Sequence, residues 1–222
     1  MNGSYKKTLF QVLIGITGIF VTLIVWKIIG GFISGKLTQE GFAILNTIAQ
    51  ISLIIVPLFI MLLEKDDLTD YGITGQHLGK QIKAGVSIAL CMTCVLALLP
   101  MIFGLKDLVY RGESYQSVGS AIGGFFHFLL VVGLVEEFVF RGFLYGKLNN
   151  LCQSDKAPIV ISSLVFGACH FSGGNFTQVI MASVIGAIYC WCLEHVPNCS
   201  LLSLIIAHGT YDWLIRVLAS VF

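Results

Sequence analysis

The stretch GLVEEFVFRG, Gly133–Gly142, sets two glutamates and an arginine inside an apolar run that begins near Val118. The fold turns on whether that run is a soluble core or a membrane span. Composition decides between them. Of 222 residues, 56% are hydrophobic and 11% are charged, whereas a soluble domain carries about 25% charged residues. Mean hydropathy is +0.89. Such a chain has too few polar groups to cover its surface in water, so it reads as an integral membrane protein. A net charge of +1 without a Lys/Arg cluster gives no nucleic-acid footprint.

Outward from this stretch, seven apolar segments approach or exceed the roughly 20 residues a spanning helix needs. They are Leu9–Phe32, Gly41–Leu63, Ile82–Gly104, Val118–Leu148, Ala157–Phe171, Phe176–Leu193 and Leu201–Val221. The fourth is long enough to be one tilted helix or two with a break. The expected fold is therefore all-α, a polytopic transmembrane bundle of seven to eight helices forming one membrane domain over 1–222. The fifth segment is short and polar-leaning, which suits a helix shielded by its neighbours. The first begins at Lys6-Lys7 but shows no A-x-A cleavage site, and reads as a retained helix.

Lysines bias the topology weakly. With the N-terminus inside, the inner side collects Lys6, Lys7, Lys65, Lys80, Lys83, Lys147 and Lys156. The outer side collects Lys27, Lys36, Lys106 and Arg111. The positive-inside rule then favours a cytoplasmic N-terminus, in a bacterial plasma membrane if the chain is bacterial. The seven cysteines lie mostly in apolar runs and read as small packing residues. Pro57 is expected to kink the second helix, and Pro158 to open the fifth after Ser154 or Asp155. Gly119-x-x-x-Gly123 and Gly142-x-x-x-Gly146 are small-x-x-x-small patterns, so the fourth segment should lie among other helices.

Ionisable residues inside the spans are costly, about 2.5–3.5 kcal/mol for Asp, Lys or Arg at mid-helix, and by default mark function. Here they are His127, Glu136, Glu137, Arg141, His170, His208 and Asp212. Glu137 and Arg141 are four apart and share a face as an ion pair. Glu136 points about 100° away and stays available. Phe166 and His170 share a face of the fifth segment. His208, Asp212 and Arg216 form an i, i+4, i+8 ladder on the last. Sites in bundle cores are built from such facing stripes. His127 reads as a packing residue.

A carboxylate and an imidazole that share a water remove its proton and make it a nucleophile. A second imidazole donates to the oxyanion formed when that water attacks an amide. Glu136, His170 and His208 therefore suffice for peptide hydrolysis. No G-x-S-x-G nucleophile motif is present. A zinc site would have the His₂Glu ligand type, but no H-E-x-x-H is present, and the reading is of a site without cofactor or metal.

The three motifs carry a resemblance. Glu136-Glu137-Phe138-Val139-Phe140-Arg141, Phe166-Gly167-Ala168-Cys169-His170 and His208-Gly209-Thr210-Tyr211-Asp212 follow E-E-x-x-x-R, F-x-x-x-H and H-x-x-x-N/D. Together they resemble the CPBP family, the type II CAAX prenyl endopeptidases and bacterial Abi-type proteins of bacteriocin processing and immunity. The resemblance covers a motif-bearing core of about 117–222; the helices within 1–116 carry no motif. It implies an intramembrane CAAX-type endopeptidase of glutamate type. Glu136 would be the base, His170 would share its water, and Glu137 and Arg141 would brace the site. His208 and Asp212 would stabilise the oxyanion. The expected partners are membrane lipid and a membrane-held peptide or protein tail.

Asp212 departs from the Asn that would donate to an oxyanion, because an ionised carboxylate only accepts. It is expected to orient His208 and also to pair with Arg216. The alternative function is a non-catalytic immunity factor or membrane partner of a signalling protein. A transporter built from inverted repeats has no repeat to support it.

Overall fold

The computed structural model describes residues 3–110, 112, 114–172 and 176–222, so Arg111 lies outside the described residues. Among them there is no strand, and eight helices form a bundle. Six are long and apolar enough to cross a membrane: α1 Gly3–Lys36, α2 Gln39–Glu64, α3 Leu78–Ile102, α5 Val118–Leu151, α7 Phe176–His195 and α8 Leu201–Ala219. The short α4, Lys106–Val109, lies between α3 and α5. The shorter apolar helix is α6, Lys156–Cys169. The chain is thus a multi-pass integral membrane protein.

The 14 residues of α6 extend about 21 Å at the α-helical rise, against a hydrocarbon thickness of about 30 Å. It stops at Cys169 and turns tightly through His170–Ser172. Its buried residues include Pro158, Ser162, Ser163, Phe166 and Gly167, and α7 is its main partner. Asp155 sits at its N-terminus without a side-chain capping bond.

The fourth apolar segment is one helix rather than two. Within α5, wide π-type turns occupy Phe128–Gly133 and Phe138–Tyr145 and flank the α-helical turn Leu134–Glu137. Such turns are rare and frequent at functional sites. The second half is the centre of the molecule. Phe138, Val139, Phe140, Phe143 and Leu144 pack in one buried cluster with Val12 and Ile19 of α1, Ile60 of α2, Phe166 of α6 and Ile205 of α8. Burying such side chains is worth about 1.5–3 kcal/mol each. The first turns differ: Val118 and Ile122 are exposed. The expected burial among helices therefore holds for one half of α5 only.

Pro57 disrupts α2 as its missing N–H requires, since Leu53 loses its i+4 donor. The chain answers with tightened i→i−3 bonds, Leu53 N to Gln50 O at 3.2 Å and Ile54 N to Ile51 O at 3.2 Å. The start of α8 is fixed by a reciprocal cap between Ser200 and Ser203. Gln81 of α3 secures it further, because its carbonyl accepts from Ser203 Oγ at 2.9 Å. All seven cysteines are free.

The closest approach of α5 to α8 falls on glycines outside the small-x-x-x-small patterns. A Cβ on Gly209 would lie 2.6 Å from Leu129 Cα and 2.7 Å from Phe128 O; one on Gly133 would lie 2.8 Å from Ile205 O. Of the four patterned glycines only Gly142 is confined by another helix or loop, 3.1 Å from Leu201 and 3.3 Å from the Tyr71 carbonyl. Gly209→Val should therefore force α5 and α8 apart. Overpacking of this kind costs about 1–3 kcal/mol or more, so the thermal midpoint in detergent should fall clearly. An unchanged midpoint would mean that the helices do not cross at main-chain contact.

Candidate active site

The main-chain crossing at Gly133 and Gly209 brings His208 against the paired glutamates. Glu137 and Arg141 form the ion pair expected from their spacing, with Nη1 donating to Oε1 at 2.9 Å and both side chains almost fully buried. His208 Nδ1 lies 2.6 Å from the same oxygen. An ionised carboxylate offers only acceptors, so Nδ1 is the donor. Glu137 Oε1 thereby accepts two charge-assisted bonds, the stronger class of hydrogen bond.

Phe166 serves twice. Its ring lies 4.4 Å from the Arg141 guanidinium carbon, and the Tyr189 ring covers that group from 5.3 Å. A desolvated cation–π contact of this kind is worth about 2 kcal/mol. The Phe166 carbonyl accepts from His170 Nδ1 at 2.9 Å, while the two rings meet edge-on at 4.9 Å. With Nδ1 so occupied, His170 keeps Nε2 for a ligand. The hydrogen bond on one ring nitrogen sets what the other does.

Glu136 turns away from Glu137, as the helical spacing predicts. It lines a cavity of about 600 Å³ together with His170, His208, Phe166 and Asp212. Val95 and Leu96 of α3 and Met181 and Ile185 of α7 supply apolar wall. Glu136 Oε1 accepts from Gln50 Nε2 of α2 at 2.8 Å. Glu136 Oε2 has no hydrogen-bond partner among the described residues and lies 3.7 Å from His208 Nε2. One carboxylate oxygen is held by Gln50, and the other is buried beside His208 without a hydrogen bond.

Asp212 meets its sequence reading in part: it pairs with His208. Its Oδ2 is 3.5 Å from His208 Nε2, long for an oriented hydrogen bond. The nitrogen that fixes the imidazole is Nδ1, and Glu137 fixes it. Nor does Asp212 pair with Arg216 among the described residues. The Arg216 guanidinium instead lies over the rings of Phe128, at 4.8 Å, and Tyr110, at 5.7 Å. Both residues still line the cavity.

The structure therefore gathers Glu136, Glu137, Arg141, Phe166, His170, His208 and Asp212 around one region. Among the described residues, no three His, Cys, Asp or Glu side chains are spaced to hold a metal ion. Two contributors escaped the sequence reading. Gln50 carried a usable signal, being an amide within an apolar span. Tyr189, fully buried, carried none, because an aromatic in a membrane helix is ordinary.

Residues 118–214 match the family model described as type II CAAX prenyl endopeptidase Rce1-like. That interval contains all three motifs and upholds the resemblance they carried. Among curated proteins and among solved structures, none matches the chain.

Proposed function

We propose that this chain, whose residues 118–214 match the Rce1-like type II CAAX prenyl endopeptidase family, is an intramembrane endopeptidase. Its substrate would be a peptide or protein tail held at the membrane. One observation carries the reading: two adjacent glutamates have separate surroundings. Glu137 is fully buried and bound at Oε1 by both Arg141 and His208, whereas Glu136 lines the cavity, with Gln50 on Oε1 and with Oε2 outside any hydrogen bond among the described residues, 3.7 Å from His208 Nε2. Two titratable groups pushed into different roles by their environments are how acid–base work is divided.

In the proposed reaction, Glu136 Oε2 takes a proton from a water that His170 Nε2 helps to hold. The resulting hydroxide adds to the scissile carbonyl carbon, and the carbonyl electrons move onto oxygen. His208, as an imidazolium whose Nδ1 donates to Glu137 and whose Nε2 lies near Asp212, donates from Nε2 to that oxyanion. Collapse of the tetrahedral intermediate breaks the C–N bond. Glu136 then passes its proton to the departing amine, so the site is restored and one water has been consumed. Asp212 sets the charge beside His208 Nε2. The Arg141–Glu137 pair does no chemistry; it holds the imidazole in place.

As a bacterial member it would act at the plasma membrane in maturation of, or immunity to, peptides such as bacteriocins. The lysine bias supports a cytoplasmic N-terminus. The proposed chemistry uses no cofactor and no metal.

The test is cleavage of an internally quenched peptide bearing a prenylated Cys-a-a-X tail by the purified protein in lipid nanodiscs. A new amine terminus should appear, and EDTA should leave the rate unchanged. Absence of cleavage for this and other membrane-held peptides would overturn the endopeptidase reading. Inhibition by chelator that added zinc reverses would overturn the metal-free one.

A further inference from the structure

The helices before residue 117 carry no motif, yet one of them touches the acid at the cavity. Gln50 Nε2 donates to Glu136 Oε1 at 2.8 Å, across a sequence separation of 86 residues. We infer that Gln50 is a positioning residue for the reaction: it binds one oxygen of Glu136 and leaves the other to face substrate water. This inference rests on the endopeptidase reading for its kinetic consequence, though not for the hydrogen bond itself.

Three observations converge on it. First, chemistry fixes the direction of the bond. A carboxylate only accepts, so the amide nitrogen must be the end of Gln50 that meets it. Second, the two oxygens of Glu136 are inequivalent. Oε1 is taken by Gln50, while Oε2 has no hydrogen-bond partner among the described residues and lies 3.7 Å from His208 Nε2, and Glu136 lines the same cavity as His170 and His208. A carboxylate held by one oxygen cannot swing both toward or away from a bound water. Third, the supporting helix is itself pinned. Trp26 Nε1 of α1 donates to Ser52 Oγ at 2.7 Å, and the tightened turn enforced by Pro57 begins at the Gln50 carbonyl. Gln50 thus sits on the last regular turn of α2 before the break, where α2 touches the wide turn Phe128–Gly133 of α5.

An amide in an apolar helix is tolerated in lipid when it finds a partner, so a merely structural role is the competing explanation. A structural role predicts lost stability with kinetics unchanged for the molecules that remain folded. A positioning role predicts a kcat effect, because placement of the base matters in the transition state more than for substrate binding.

The test uses Gln50→Met, which keeps length without a donor, and Gln50→Glu, which keeps shape but offers acceptors. Gln50→His restores a donor. With the quenched prenylated peptide, both Gln50→Met and Gln50→Glu should lower kcat at least about tenfold with KM within about twofold, and Gln50→His should recover part of the loss. A kcat within about twofold of wild type for Gln50→Met would overturn the inference. If the wild-type protein cleaves neither this nor other membrane-held peptides, the endopeptidase reading fails. A thermal-stability cycle of Gln50→Met with Glu136→Ala then tests the Gln50–Glu136 bond on which the inference stands. Non-additive shifts support the Gln50–Glu136 bond, and strictly additive shifts overturn it.

Discussion

Replacing Glu136 by glutamine is expected to lower kcat/KM for the quenched peptide by about three orders of magnitude, within the range that general-base catalysis contributes. The thermal midpoint should move little. The two side chains have the same shape, and the new amide oxygen still accepts the bond that Gln50 Nε2 makes at 2.8 Å. What disappears is the basic oxygen at the cavity, since an amide does not take a proton at neutral pH. The measurement is a paired one, steady-state kinetics beside thermal denaturation in the same nanodiscs. Activity retained within tenfold would remove Glu136 from the chemistry and favour the alternative of a non-catalytic membrane partner.

The largest expected stability effect is at Arg141. Its guanidinium is buried, bonds Glu137 and lies between the Phe166 and Tyr189 rings. Arg141→Met would leave the Glu137 carboxylate buried with His208 as its remaining partner. Breaking a buried pair from one side costs about 3–5 kcal/mol, because the surviving charge loses its compensation. The chain should insert poorly or melt well below wild type. Adding Glu137→Gln to Arg141→Met should recover part of that loss, as removing both charges is cheaper than removing one. Recovery of stability would come without recovery of activity, since His208 would still lack its charged anchor. A single variant as stable as wild type would show that the pair carries no structural weight.

These expectations separate what was legible in the sequence from what was not. Spans follow from composition, because a run without charges long enough to cross hydrocarbon has few other fates. The Glu137–Arg141 pair follows from a four-residue spacing, a local property of one helix. The orientation of His208 does not follow. Both Asp212, one turn along the same helix, and Glu137, on another helix, were within reach, and only the crossing of α5 and α8 selects Glu137. The ladder of His208, Asp212 and Arg216 was right as a face and for the His208–Asp212 pair, but not for the pairing of Asp212 with Arg216, because the Phe128 ring competes for the guanidinium. Gln50 was visible as an amide in an apolar span, but its partner was out of reach for the same reason as that of His208: spacing rules describe one helix, and this contact joins two. The glycine patterns marked the burial of half of α5 without marking where it crosses α8, since a small residue permits close approach without requiring it.

The contact at Gly133 and Gly209 has a consequence for how the bundle responds to its lipid. Side chains that meet across a helix interface adjust by changing rotamers, and the interface slides. Where two main chains touch, there is nothing to rotate. Glu136 and His208 sit within three residues of that contact on their respective helices, so the span between them is set by the thickness of two backbones. A thinner or thicker bilayer can tilt α5 and α8 as a unit, and it can open or narrow the entry to the cavity. The acid and the imidazole would travel together through such changes. Lipid composition should therefore act on how substrate arrives, through KM, and leave the turnover step close to constant.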